Sequence, residues 1–258
     1  MSLHLPLPQN WRHRHLASTG STMEAIRADL AAGGEAEFVL LTADHQTAGR
    51  GQRGTSWEAE AGKNLLFSLA FHPGGIPAAR QFALSEALAL AVAEALDAHT
   101  GGISVKWPND IYYRERKICG MLLEHRLQGG RIECTLAGVG LNVNQRRFLG
   151  DAPNPVSLRQ ITGRDTDRAA LLLSVLHAFE RNYRLLLQGG FDALHARYMR
   201  RLYHSGGFYP FADRDGAFSA RITGVSPLGQ LSLATAAGAE RSYAFKEVRF
   251  VTVPENPA

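Results

Sequence analysis

Two strand-length apolar runs, FVLLTA (Phe38–Ala43) and NLLFSLAF (Asn64–Phe71), enclose the segment GRGQRG (Gly49–Gly54) with no helical pattern between them. That segment matches G-x-G-x-x-G, the fingerprint of a dinucleotide-binding turn. A Rossmann turn requires a helix to open at its last glycine, because the helix N-terminus faces the pyrophosphate. Here TSWEAEAGKN runs straight into the next strand, so the crossover helix is missing and the dinucleotide fold is excluded. No G-K-[ST] follows, which excludes a Walker loop. What is left is a glycine loop carrying Arg50, Gln52 and Arg53. Glycine lets the backbone approach a ligand closely, and each guanidinium offers a fork of donors to carboxylate or phosphate. The loop reads as an anion site, and by itself it does not name the anion.

The rest of the chain alternates strands and helices. A helix is expected from Ser21 or Thr22, one of them its N-cap, with Glu24 in the first turn and Gly33 and Gly34 as the stop. Ala79 to Ala98 repeats Ala and Leu at helical spacing and ends at HTGG. ISVKW is a strand halted by the turn chemistry of PND, and KICGMLLEHRL and RIECTLAGVGLNVN, joined by QGG, form a hairpin. Two helices follow, over about Arg168–Leu187 and Phe191–Tyr203, the first with Leu171, Leu172, Val175, Leu176, Phe179 and Tyr183 on one face. From Phe218 to Val253 the texture changes to short strands at close spacing, the pattern of a small SH3-like barrel. A boundary near Gly206 and Gly207 divides a catalytic domain (1–206) from that barrel (207–258).

A length of 258 residues fits one large domain with a small appendage. The 28 basic and 24 acidic residues give a net charge of +4 that gathers into no long basic tract, which favours anionic small molecules or an acidic protein over duplex DNA. No apolar run is long enough to span a bilayer, and the N-terminal segment lacks a signal-peptide core, so a cytoplasmic protein without membrane partners is expected. The 2 cysteines, Cys119 and Cys134, have neither metal nor disulfide spacing and read as small buried apolar residues.

A second constellation lies in VKWPNDIYYRERKICGMLLE. Lys106 and Lys117 stand near the ends of two neighbouring strand candidates, with Asp110 in the turn after the first. Two lysines and a carboxylate gathered by strand ends suit a nucleotide. Downstream, GVGLN (Gly138–Asn142) allows close backbone approach and offers an amide.

Taken in order and spacing, GST with MEA, QTAGRGQRGTSW, KWPND, KICGMLLE and GVGLNVN closely resemble the biotin protein ligases, the biotin–[acetyl-CoA-carboxylase] ligases. The resemblance runs from about residue 14 to residue 205, and the tail is similar to the family's C-terminal barrel. It implies an α/β fold, a mixed sheet with flanking helices like the core of class II aminoacyl-tRNA synthetases. It also implies a two-step reaction. Biotin and MgATP form biotinyl-5′-adenylate and pyrophosphate; a lysine of a biotin carboxyl carrier domain then attacks the anhydride and releases AMP. Joining a carboxylate to a phosphate brings anions together, so cations must offset the repulsion. No enzyme nucleophile is needed, and no Ser/His/Asp or Cys/His arrangement stands out.

The resemblance assigns roles position by position. Ser21, Thr22 and Met23 fall at the biotin ring and chain, with Gln46, Gly49, Arg50, Gly51, Gln52 and Gly120 also on the biotin and adenylate side. Arg50, Arg53, Trp57, Lys106 and Asn142 fall on the ATP side. Lys117, Arg50, Lys106 and Asp110 are the catalytic set, with Lys117 touching the biotin carboxylate and reacting phosphate. Asp110 is expected to position or deprotonate the acceptor amine, against the alternatives of holding the turn or placing magnesium. The magnesium itself arrives on ATP.

Two positions depart from the family pattern. Met23 stands where many members carry Asn, and Gln52 where some carry a second Arg, which would weaken the hold on the adenylate. The chain reaches its Ser-Thr pair at Ser21, leaving no room for the winged helix of repressor members, so no DNA partner is expected. An exposed strand edge can pair with a second copy, as a homodimer, or with the carrier domain. The rival readings are a lipoate or octanoate ligase, which lacks the Trp-Pro-Asn-Asp turn in this form, and a non-catalytic binding module.

Overall fold

The computed structural model describes residues 5–31, 37–51, 56–150 and 153–251. The helix stop expected at Gly33 and Gly34 lies outside them, as do Gln52 and Arg53. Seven strands form one sheet: β1 (Trp11–Leu16), β2 (Phe38–Ala43), β3 (Leu65–Phe71), β4 (Ile103–Lys106), β5 (Asp110–Tyr113), β6 (Arg116–Gln128) and β7 (Arg131–Leu141). Their order is β1-β2-β3-β7-β6-β5-β4. β1 runs parallel to β2 and every other pair is antiparallel, so the sheet is mixed, as expected.

Strict alternation divides the sheet into two faces. Leu65, Phe67, Leu69 and Phe71 of β3 enter the larger core, packed beneath α2 (Phe82–Asp97) and α4 (Arg168–Leu187). On β2, Phe38 and Leu40 join that core, whereas Val39 and Leu41 face the smaller core under α1 (Thr22–Ala31) with Met23 and Ile26. Truncating a buried ring such as Phe67 or Phe71 to alanine would cost roughly 3–5 kcal/mol. α2 is buried almost all round because the sheet, α4 and α5 (Phe191–Arg200) pack around it and the C-terminal turns at Pro227 and Phe245 meet its first residue, Phe82. A single 3-10 turn at Ala78–Arg80 precedes it, so the helix opens later than its Ala-Leu pattern suggests. α4 starts where its periodicity does, with the Asp167 carboxylate accepting from the Ala169 and Ala170 amides.

Several elements were not foreseen, among them β1, β5 and a short helix after β7. β1 reads as polar, WRHRHL, and is held as an edge strand by its parallel pairing. The five-residue α3 (Leu158–Thr162) is announced by a capping box between Ser157 and Gln160.

Beyond α5, strands β8 (Tyr209–Asp213), β9 (Gly216–Val225), β10 (Leu231–Thr235), β11 (Glu240–Tyr243) and β12 (Arg249–Phe250) form a second sheet ordered β11-β10-β9-β8-β12. Among the described residues its ladder is open, with β11 and β12 at the edges, so a closed barrel is not what the hydrogen bonds draw. Phe211, Leu231 and Leu233 belong to the same core as the first sheet. The Trp107 indole donates to the Gly229 carbonyl at 2.9 Å, and Phe82 N to Pro227 O at 3.2 Å, so the junction is packed and hydrogen-bonded. Both cysteines are buried and unbridged.

Candidate active site

The site forms where three glycines clear the face of the sheet opposite the larger core. Gly120 of β6 pairs directly with Gly140 of β7, and Gly138 lies between Ser68 of β3 and Leu122 of β6. A Cβ at Gly138 would sit 2.7 Å from Met23 Cγ, and one at Gly120 would sit 2.9 Å from Trp57 Cζ3. At Gly140 it would overlap the Trp57 indole. The missing side chains let Met23 and Trp57 lie against the sheet and leave a cavity of about 610 Å³.

One end of the cavity is neutral and hydrogen-bonding. Gln46 Oε1 accepts from Thr22 N at 2.8 Å and from Thr22 Oγ1 at 2.9 Å, and Ser68 Oγ donates to Thr22 Oγ1 at 2.9 Å. Ser21 and Thr22 are buried at the start of α1, so Gln46 satisfies one of the helix's orphan first-turn amides. Ser21 is the residue before the helix; the cap comes from Gln46 rather than from its neighbour in sequence.

The other end gathers charge. Lys117 Nζ lies 2.7 Å from Asp110 Oδ1, both side chains about a quarter exposed, and 5.6 Å from the Trp57 ring centroid. Arg50 pairs at 2.9 Å with Glu24 of α1, two residues from Thr22 and so nearer the neutral end. Asp110 is not a turn residue but opens β5, opposite Lys106 on β4 and Gly120 on β6. β5 therefore separates the strands of the two lysines, and a register shift between Ile111 and Tyr112 rotates the pairing beside Lys117.

Of the sequence-predicted residues, Ser21, Thr22, Met23, Gln46, Arg50, Gly51, Trp57, Asp110, Lys117, Gly120 and Asn142 line this one cavity. Lys106 does not. Its ammonium donates to Tyr112 Oη at 2.9 Å and lies 5.3 Å from the Phe250 ring centroid, off the lining. Burial, assisted by the Lys117 charge, lowers its pKa, while Asp110 and Glu115 pull it back up. Gly49 is also off the lining: its carbonyl accepts from Trp57 N at 2.9 Å, and a Cβ there would meet Trp57 O at 2.6 Å, so it closes the loop's base. Asn142 is buried; its Nδ2 donates to Val156 O at 3.2 Å while Oδ1 has no partner among the described residues. The Trp57 Nε1 donor is buried and unpartnered as well.

Several lining residues were missed. Tyr112 follows from the period of β5 once that strand is known, and burial pushes its hydroxyl pKa up. Glu58 was passed over as loop, yet its carboxylate accepts from Leu149 N at 3.1 Å and Gly150 N at 2.6 Å. Lys246 comes from the C-terminal strands, and nothing in its local sequence announces it.

The profile of the Biotin/lipoate A/B protein ligase family matches residues 17–142, the segment carrying every lining element named above except Lys246 and the 148–155 loop. The biotin–[acetyl-CoA-carboxylase] ligase of Paracoccus denitrificans is 33% identical over 86% of this chain and 94% of its own length. This chain belongs to the biotin protein ligase family. The bifunctional ligase/repressor BirA of Bacillus subtilis is 30% identical over 90% of this chain and 71% of its own. Among solved structures, the biotin protein ligase of Aquifex aeolicus in complex with biotin and ATP superposes with a TM-score of 0.75 at 27% identity, covering 93% of this chain and 99% of that one. Among the described residues, no three His, Cys, Asp or Glu side chains group as metal ligands. Among them, too, no helix of this biotin protein ligase relative is long and apolar enough to cross a membrane.

Proposed function

We infer that this chain is an ATP-dependent ligase that activates biotin as biotinyl-5′-adenylate and transfers it to a lysine of a biotin carboxyl carrier domain. The observation that carries the reading is the polarity of one continuous cavity. A neutral hydrogen-bonding end (Ser21, Thr22, Gln46) leads past apolar walls (Met23, Leu122, Val139) to the Lys117–Asp110 corner. Biotin has the same order: a neutral ureido ring, an apolar chain and a carboxylate.

In the first step a biotin carboxylate oxygen bonds to the α-phosphorus of ATP, and the bond to the pyrophosphate oxygen breaks. Lys117 and Arg50 offset the charge of the meeting anions. Asn142 Oδ1 and Trp57 Nε1, an acceptor and a donor left without partners, are suited to an adenine or ribose that brings the complementary groups. Magnesium enters held chiefly by phosphate oxygens and water, since Glu58 and Asp110 are engaged with backbone amides and Lys117. In the second step the acceptor amine attacks the carbonyl, the C–O bond to AMP breaks and the amine proton leaves. Asp110 is the carboxylate placed to receive it.

The same reading takes the C-terminal strands as an SH3-like barrel beginning near Gly207, and the free edge of β1 as a place for an incoming strand, from the carrier or from a second copy. The test is pyrophosphate exchange into ATP with biotin, lipoate or octanoate offered separately. Exchange that depends on biotin is expected. Exchange with lipoate or octanoate alone would move the chain to the sister branch of the family, and none with any acid would overturn the ligase reading.

A further inference from the structure

β3 is apolar throughout, LLFSLAF, except for one hydroxyl, that of Ser68. Leu65, Phe67, Leu69 and Phe71 enter the larger core, so Ser68 and Ala70 share the opposite face, the one that α1 covers. Ser68 is fully buried, pairs with Gly138 of β7 and does not itself line the cavity. A buried hydroxyl among apolar neighbours costs free energy unless it is hydrogen-bonded, and alanine would fill nearly the same space. The partner that Ser68 finds is Thr22 Oγ1, 2.9 Å away at the neutral end of the cavity.

One backbone amide fixes the direction of every bond in this relay. Thr22 N can only donate, so the Gln46 atom 2.8 Å from it is the carbonyl oxygen, Oε1. That oxygen can only accept, so the Thr22 hydroxyl, 2.9 Å away, spends its single proton there. The contact between Ser68 and Thr22 then has one direction left, with Ser68 donating. Both lone pairs of Gln46 Oε1 are thereby taken. What the two lining residues still have for a ligand is the Gln46 Nε2 donors and one lone pair of Thr22 Oγ1. A donor group with an acceptor is the complement of a ureido ring, which carries a carbonyl beside its N–H groups.

We propose that Ser68 is a positioning residue for biotin binding, which holds the Thr22 hydroxyl in the direction that lets Thr22 and Gln46 meet the ureido ring. The proposal rests on the reading of this cavity as a biotin site. A threonine hydroxyl in the first turn of a helix has local backbone groups to bond instead. Ser68, donating from the sheet beneath, takes one of its lone pairs and keeps the hydroxyl at the cavity. Without that donor the hydroxyl is free to rotate, and the ligand must order it on binding. Ser68 lies off the cavity, away from the Lys117–Asp110 corner, so its influence falls on binding of the neutral ring and not on the chemical step.

A double-mutant cycle on the full chain tests it, with Ser68→Ala, Thr22→Val and the two combined. Ser68→Ala should fold, since alanine fits the space of serine and Thr22 keeps its bonds to Gln46. It should raise the KM for biotin in pyrophosphate exchange roughly fivefold, the worth of one neutral hydrogen bond. Its kcat and its KM for ATP should stay within about twofold. Thr22→Val removes the group through which Ser68 acts, so adding Ser68→Ala to it should leave the KM for biotin nearly unchanged. The same factor for Ser68→Ala in both backgrounds would mean that Ser68 acts by packing alone, and it overturns the proposal. An unchanged KM for biotin in Ser68→Ala overturns it as well and leaves the ligase reading intact. Calorimetric titration with biotin alone separates the two claims. If wild type binds biotin without biotin-dependent exchange and Ser68→Ala binds it more weakly, the ligase reading falls and the Ser68 assignment stands. Equal binding by both, or binding by neither, removes the Ser68 assignment.

Discussion

Lys117 and Lys106 belong to one stretch of sequence and end in opposite environments. Lys117, near the start of β6, faces the cavity with Asp110 at 2.7 Å and water at hand. Lys106, the last residue of β4, is enclosed at the seam between the two sheets, with the Tyr112, Phe250 and Tyr203 ring centroids at 4.4, 5.3 and 5.6 Å. The side-chain partners rather than the pleat set the difference: Lys106 stands opposite Asp110 yet reaches Tyr112 Oη, whereas Lys117 reaches Asp110. The two regions touch at Tyr112, which lines the cavity while its hydroxyl accepts from Lys106. A lysine can therefore matter to the site without reaching a substrate, by holding a residue that does.

The comparison breaks most easily at Lys117. Lys117→Met should slow biotin-dependent pyrophosphate exchange by about 10²–10³-fold, since it deletes a preorganised charge at the reacting atoms, with little change in melting temperature. A loss below roughly tenfold would mean that the cavity corner is not where the anions meet. Asp110→Asn comes next, at about 10²-fold on transfer to the carrier and less on adenylate formation, measured as separate half-reactions. Equal slowing of both would reduce Asp110 to a partner of Lys117. Lys106→Met should reverse the pattern. It removes a part-buried hydrogen bond from a charged donor, partly offset by relief of desolvation, so stability falls by about 1–2 kcal/mol and the melting temperature by roughly 2–8 °C. Both half-reactions should slow alike and by less than about tenfold. A Lys106→Met enzyme that melts normally and loses exchange as Lys117→Met does would put Lys106 at the substrate after all.

Much of the frame was legible because unbroken apolar runs and helical spacing report burial directly. β2 and β3 fall on their apolar runs and α4 on its helical period, since a core element has few other ways to pack. β1 was not, because an edge strand gains its place from a partner distant in sequence. Most of the residues singled out in glycine-rich and turn motifs come together at one cavity, for close backbone approach demands particular residue types: Gly120, Gly138 and Gly140 leave room that a side chain would fill. Direction was harder. The sequence places Lys106 beside Asp110 but does not show that its ammonium leans to Tyr112 and off the cavity lining, and it gives no sign that Lys246 reaches the cavity from the second sheet. Orientation at a junction depends on contacts such as Phe245 on Trp107 that no local pattern encodes.

The smallest effect concerns the seam itself, through His204. Its ring is stacked between Tyr203 and Tyr209, with centroids 3.8 and 4.0 Å away, and faces Glu115 and Lys106. Burial lowers its pKa below the ordinary 6.5; Glu115 opposes the shift, Lys106 adds to it. The folded chain thus holds this proton less tightly than the unfolded one. Between the depressed value and 6.5, unfolding takes up a proton, so stability is full above 6.5 and declines as pH falls through that window. His13 and His125, also lowered by burial, contribute in the same direction. His204→Asn, a residue that tolerates the φ of +59° found there, should lower stability at every pH through lost stacking but flatten its decline between pH 7.5 and 5.5 by about 2 °C in melting temperature. Lys106→Met should flatten it less, because it removes one of the two influences that lower the histidine. An acid slope unchanged in both variants would show that the seam is open to water, and the contrast between an enclosed Lys106 and an accessible Lys117 would lose its physical basis.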